Sequence, residues 1–250
     1  MRFILLSLFF VSSLEHSLAQ GVTANSFNAE YKITRGSMTL GTLKRTLLIT
    51  DDGHYEFVSK ISSKGLASLF LKLDSKEVSS GKIIGKKVLS ETFSYSRKEK
   101  QEKNFSIYFD YDLKTVSNPS GRYAWKADIS SLILDKLGYQ LQLMLDMENS
   151  SKTMHYKIAD RKGPKTYLIE KTYSENIYTG MGLVSTTKVK ITSKSSKTKT
   201  SVWCATELDW LPVKVEHRDK KGNLTVALLT RLQPNFNARG VFREEAQASP

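Results

Sequence analysis

Chemistry in this chain has to begin from a short set of residues. Beyond the N-terminal segment there are three histidines, His54, His155 and His217, and one cysteine, Cys204. Each histidine falls in or beside a separate strand-like stretch, with no His-x-His or His-x3-His pairing, so the close ligand spacing of a structural metal site is missing. Cys204 follows Trp203 in an apolar strand, the setting of a buried, inert thiol rather than a nucleophile. The carboxylate pairs are Asp51-Asp52 and Asp110-Tyr111-Asp112. Glycoside hydrolysis needs two carboxyl groups facing each other across a cleft, whereas Asp51-Asp52-Gly53 is turn chemistry. No Gly-x-Ser-x-Gly elbow occurs, and no phosphate-binding or dinucleotide fingerprint. Gly180-Met181-Gly182 lacks a third glycine and opens a strand, so it reads as a turn. No catalytic, cofactor-binding or metal-binding residue can therefore be assigned, and no cofactor is expected.

The N-terminus speaks of export. Met1-Arg2 gives a short positive start, Phe3 to Leu14 an apolar run, and Ser17-Leu18-Ala19 the small residues of a cleavage site. Residues 1–19 are read as a cleaved signal peptide, and the expected location is periplasmic. The apolar run ends too early for a membrane span, and no transmembrane segment is expected in the mature chain. The single cysteine rules out an intramolecular disulfide.

The formal net charge is +13, and it stays +13 without residues 1–19, because Arg2 and Glu15 cancel. Such an excess suits a lipid or other anionic envelope component, or simply keeps the surface soluble. Export argues against nucleic acid as partner. Three Asn-x-Ser/Thr sequons, at Asn104, Asn149 and Asn223, would matter only in a eukaryotic secretory pathway.

The elements that would position these residues are mainly strands. Residues 20–26 are a lead-in, and residues 27–234 read as a single domain. Phe27 to Thr34 alternates with period two, Leu43, Arg45, Leu47 and Ile49 share one face, and so do Tyr55, Phe57, Ser59 and Ile61. The apolar run Leu66 to Leu73 suits either a closing core segment or a lip over a cavity. Strand patterns return at Gly81 to Ile84, Val88 to Arg97 and Asn104 to Asp110. The 3.6-residue spacing predicts a helix over Asp128 to Met147, capped by Asp128 and weakened at Gly138. Strands resume from Thr153. They end in a hairpin in which Leu211 to His217, opened by Pro212, is joined through Gly222-Asn223 to Leu224 to Thr230. Trp203 and Val213 are expected to pack inward. Asn235 to Pro250 reads as a flexible C-terminal tail. About a dozen short strands with regular turns predict one antiparallel barrel-like or strongly curved sheet, with one apolar helix packed on or in it.

Four passages in this order resemble the bacterial exported proteins of domain-of-unknown-function family 3108. They are Phe27-x-Ala29-x-Tyr31 with Gly36 and Gly41; Tyr108-Phe109-Asp110-Tyr111; Gly182 ahead of Lys188-Val189; and Trp203 with Leu211-Pro212-Val213 and Leu228 to Leu232. Lys86-Lys87 and Asp128-Ile129-Ser130 depart from the family pattern. The resemblance implies a curved antiparallel barrel loosely similar to periplasmic lipoprotein carriers, which hold acyl chains between a half-open barrel and helices. It brings no catalytic residues. The expected function is a non-enzymatic periplasmic protein that binds a lipid or other amphipathic ligand. The alternatives are an envelope scaffold or interaction module without a cavity and, third, an enzyme acting on envelope polymers.

Overall fold

In the computed structural model, residues 25–63, 74–194 and 196–234 are described. The expected signal peptide, most of the lead-in, the apolar run Leu66 to Leu73 and the tail from Asn235 lie outside the described residues. Fifteen strands form one sheet. The first eight are β1 (Phe27–Arg35), β2 (Met38–Ile49), β3 (His54–Ser63), β4 (Ser75–Ile84), β5 (Lys87–Arg97), β6 (Phe105–Asp110), β7 (Thr115–Asn118) and β8 (Trp125–Asp128). Next come β9 (Ile133–Leu134), the helix α1 (Gly138–Asp146), β10 (Thr153–Asp160), β11 (Gly163–Thr179) and β12 (Gly182–Thr192). The chain closes with β13 (Lys199–Ala205), β14 (Leu211–Arg218) and β15 (Leu224–Pro234).

The spatial order runs β8 back to β1, then β15 back to β9. Two meanders therefore meet at the central β1–β15 pair, and the first and last strands hold the sheet together. Fifteen strands replace the expected dozen. The additional ones include β7, β8 and β9, of four, four and two residues, too short to show a period. The pairing is antiparallel except for β9 with β10, which is parallel.

The sheet is curved but not closed, with β8 and β9 as its edges. Side chains bridge the seam. Trp125 Nε1 donates to the carbonyls of Asp160 and Arg161, each at 3.1 Å, and Asn118 Nδ2 donates to Arg161 O at 2.9 Å.

The expected helix from Asp128 is corrected by the structure. Asp128 ends β8 opposite Thr115, and Ile133-Leu134 pairs with Lys157-Ile158, so only Gly138–Asp146 is helical. Capping falls to Asp135, whose carboxylate accepts the N–H groups of Leu137 and Gly138 at 2.7 and 2.9 Å. Gly138 is no kink; it opens the helix. A Cβ there would lie 2.5 Å from Ser90 Oγ, so glycine is what lets the helix approach β5.

Four more side chains clamp α1 to the sheet. Gln142 accepts from Val88 N and donates to Lys86 O, both at 2.8 Å. Tyr156 donates to Asp146 at 2.6 Å. Lys171 donates to the carbonyls of Met147 and Asn149 just past the helix, where a cation also suits the helix dipole. The apolar stripe Leu137, Leu141, Met144 and Leu145 is buried.

The C-terminal hairpin stands as expected, with β14 and β15 in register from Lys214–Leu228 to Arg218–Leu224. Its connection is held by Asp219, which accepts from the N–H groups of Lys221 and Asn223. The two strongest parts of the sequence pattern meet in space. Tyr31 is fully buried and donates to Pro212 O at 2.8 Å, tying β1 to β14 across the intervening β15.

Candidate functional site

Cross-strand register places one continuous row of side chains on the concave face: Ala29, Arg45, Ser59, Glu77 and Tyr95, on β1 to β5. The neighbouring row on one side is Leu43, Ile61, Ser75 and Arg97. The row on the other side is Leu47, Phe57, Ser79 and Phe93. The interior is filled unevenly along these rows. Asp135 covers the Ser79 side, accepting a hydrogen bond from Ser79 Oγ at 2.6 Å. Over the other two rows a cavity of about 220 Å³ remains, lined by Ser59, Ile61, Ser75, Glu77, Tyr95 and Arg97.

Asp135 anchors the filled half. It has no exposed surface; its N–H donates to Ser90 Oγ at 3.2 Å, and Ser79 is itself within 3.2 Å of the Tyr55 hydroxyl. Burial pushes its carboxyl above the usual range, against the hydrogen bonds from Ser79 and Ser90 that lower it. Burial likewise raises the Tyr55 and Tyr111 phenols, Tyr111 to about 12.

The open half carries charge. Burial raises the Glu77 carboxyl, while Lys136 and Arg45 pull it down. Lys136 reaches in from the segment between β9 and α1 and pairs with Asp160 at 3.1 Å. Burial disfavours the charged ammonium, but Asp160 and Glu77 outweigh it and raise Lys136. Burial raises Asp160 as well, and the Lys136 charge together with hydrogen bonds from the Arg161 N–H and Lys136 outweighs it, leaving the carboxyl below its ordinary value. Tyr139 is raised by burial to about 12 and lies within the field of Arg45, Tyr167 and Glu77. Arg45 is held 5.6 Å above the Tyr31 ring, and its Nε is buried without a hydrogen-bond partner among the described residues. Leaving a buried donor unpaired costs about 1–3 kcal/mol. Arg45, Glu77, Lys136 and Asp160 thus influence one another's charge next to the open rows, and Glu77 is the one of them that lines the cavity. The cavity can accept a polar group beside Glu77.

Residues singled out by the sequence lie elsewhere. His54 pairs with Asp52 at 2.7 Å in the β2–β3 turn, His217 sits 3.0 Å from Thr200 Oγ1, and His155 is exposed on β10. Among the described residues no three His, Cys, Asp or Glu side chains are grouped to hold a metal. Asp52 is pulled down to about 2 by hydrogen bonds from Thr50 and His54, the state of a turn former. Asp110 accepts from Leu113 N and does the same job. Cys204 is fully buried, which pushes its thiol up to about 12. Gly180-Met181-Gly182 is the β11–β12 turn.

Val213 is buried as expected. Trp203 is buried too, but register puts it beside Lys188 and Lys214, opposite the face that carries Val189, Val202 and Val215. Both ammonium groups lie over its ring, at 4.5 and 4.3 Å, and its indole N–H donates to Glu175 at 2.6 Å.

Sequence reasoning missed Glu77, Asp135 and Lys136. Arg45 did leave a signal, a charged residue in phase with Leu43 and Leu47. Glu77 lies in a polar run without apolar alternation, and Asp135 and Lys136 were absorbed into an over-long helix.

The family model for proteins of unknown function DUF3108 matches residues 27–229. The chain belongs to that family. The match spans both meanders together with β9 and α1 between them. No curated protein matches it in sequence. Among solved structures it is similar to a β-barrel-like protein of domain of unknown function DUF1849 from Brucella abortus. The identity is 8%, with 85% of this chain and 98% of the other covered and a TM-score of 0.54. That likeness concerns the fold and supports a barrel-like architecture. A Vibrio parahaemolyticus domain provisionally described as outer-membrane lipoprotein-sorting aligns at 13% identity over 86% of each chain, with a TM-score of 0.30, too distant in shape to bear on role. Among the described residues no helix is long and apolar enough to cross a membrane.

Proposed function

We propose that this DUF3108 protein is an exported, periplasmic, non-enzymatic barrel that holds a lipid or other amphipathic envelope ligand in the open half of its interior. The observation that carries the reading is the uneven filling. The α1–β9 plug seals the Phe57–Ser79–Phe93 side, while the Ser59–Glu77 side keeps a cavity beside an orphaned Arg45 donor. Ligand sites commonly measure about 300–1,000 Å³. The 220 Å³ here suits a head group or a short segment of a chain rather than a whole diacyl lipid. Export rests on the signal-peptide pattern of residues 1–19, and the net charge of +13 favours an anionic ligand.

Native mass spectrometry of the protein purified from its own host tests this reading. A co-purifying amphiphile of defined mass is expected, and bare protein under gentle ionisation would count against it.

The densely packed side favours a second reading, an envelope scaffold that engages a partner protein and carries no ligand. Crosslinking in cells that captured one discrete protein, with no adduct in the mass spectrum, would select it.

A further inference from the structure

Tyr123 follows β7 in a short 3-10 turn at the seam, half-buried, with three cations around its ring. Arg122, Arg161 and Lys162 place their charges 4.8, 4.4 and 5.1 Å from the ring centroid. Two come from the β10–β11 turn and one from the β7–β8 connection, so this crowding is created by the fold and not by a run of basic sequence. Their hydrogen bonds to the protein go to neutral acceptors. Arg122 donates to the Tyr123 hydroxyl at 2.9 Å, and Arg161 to the backbone carbonyl of Glu102 at 2.7 Å. None of the three forms an ion pair with a carboxylate among the described residues. Cation–π attraction to one ring is modest, and like charges this close repel. Most of the ten N–H donors of two guanidinium groups stay free for a ligand. Beside them opens a concavity of about 660 Å³, lined by Glu102, Lys103, Ser120, Arg122, Tyr123 and Arg161 among others.

We infer that this seam concavity binds a phosphate group, held by the guanidinium forks of Arg122 and Arg161 with Lys162 and the Tyr123 hydroxyl alongside. Guanidinium forks match two oxygens of a phosphate at once. The phenol is already drawn below its ordinary value by Arg122, which marks a positive local field. The inference stands on the seam cluster alone and does not rest on the interior reading.

The test uses the folded mature chain at near-physiological salt with two probes. One is inorganic phosphate, followed by calorimetry. The other is vesicles of phosphatidylglycerol in phosphatidylcholine, compared with pure phosphatidylcholine, followed by co-sedimentation. The double variant R122Q/R161Q should weaken binding at least tenfold. K220Q/K221Q, which removes the same charge from the β14–β15 connection, should change it less than twofold, with all proteins giving the same dispersed amide spectrum. Loss with free phosphate identifies a soluble phosphate ligand, and loss with vesicles alone identifies a lipid head group. Binding to neither probe, or equal weakening by the two double variants, would overturn the site.

Discussion

Asp135 shows how much one buried residue can organise. Its carboxylate takes hydrogen bonds from Ser79, Leu137 and Gly138 and sits against Ser90. Asp135→Ala would leave those donors buried and unpaired, at about 1–3 kcal/mol each before relaxation, so denaturant unfolding should show a loss of about 3 kcal/mol or more. Asp135→Asn keeps an acceptor for the two backbone N–H groups and should cost less. It should also alter the pH dependence. The folded state holds the Asp135 proton more tightly than the unfolded chain, where such a carboxyl titrates near 4. This residue's contribution therefore falls as pH rises above about 4. Unfolding followed from pH 4 to pH 8 should show the wild type losing ground to Asp135→Asn across that range; a gain would refute the assignment. At this scale the sequence was partly legible. Arg45 betrayed itself by phase among apolar neighbours, whereas nothing local to Asp135 says that two serines on other strands will enclose it.

The elements of the plug rest on close approach. Gly138→Ala puts a methyl 2.5 Å from Ser90 Oγ and 3.0 Å from Asp135 Oδ2. Thermal and denaturant unfolding should register about 1–3 kcal/mol of destabilisation from this overpacking, and a smaller penalty in a Ser90→Ala background. Tyr31→Phe removes the β1-to-β14 tie through Pro212 O and should cost about 0.5–1.5 kcal/mol; no change would make that bond incidental. The meander β1 to β3 and the β14–β15 hairpin were readable because one face of each is buried and their turns carry Asp, Asn and Gly. The helix was not. Ile129, Leu132 and Ile133 keep a helical period, yet Ile133-Leu134 finds ladder partners in β10, and Leu132 stays exposed. Long-range pairing overrode local pattern.

For the whole molecule, the decisive property is a barrel-like sheet that is plugged on one side and open on the other. Its class was legible from alternation and composition. The division of its interior was not, because it depends on which rows of the sheet the plug covers, and register across the five strands β1 to β5 sets that. The proposed working surface is the open half. Titration with a fluorescent fatty-acid analogue tests this most directly, comparing the wild type with Ile61→Trp, which fills the cavity, and with Leu48→Trp on the exposed face of β2. Saturable single-site binding should weaken at least tenfold in Ile61→Trp and stay unchanged in Leu48→Trp. Equal binding by all three proteins would contradict an interior ligand site.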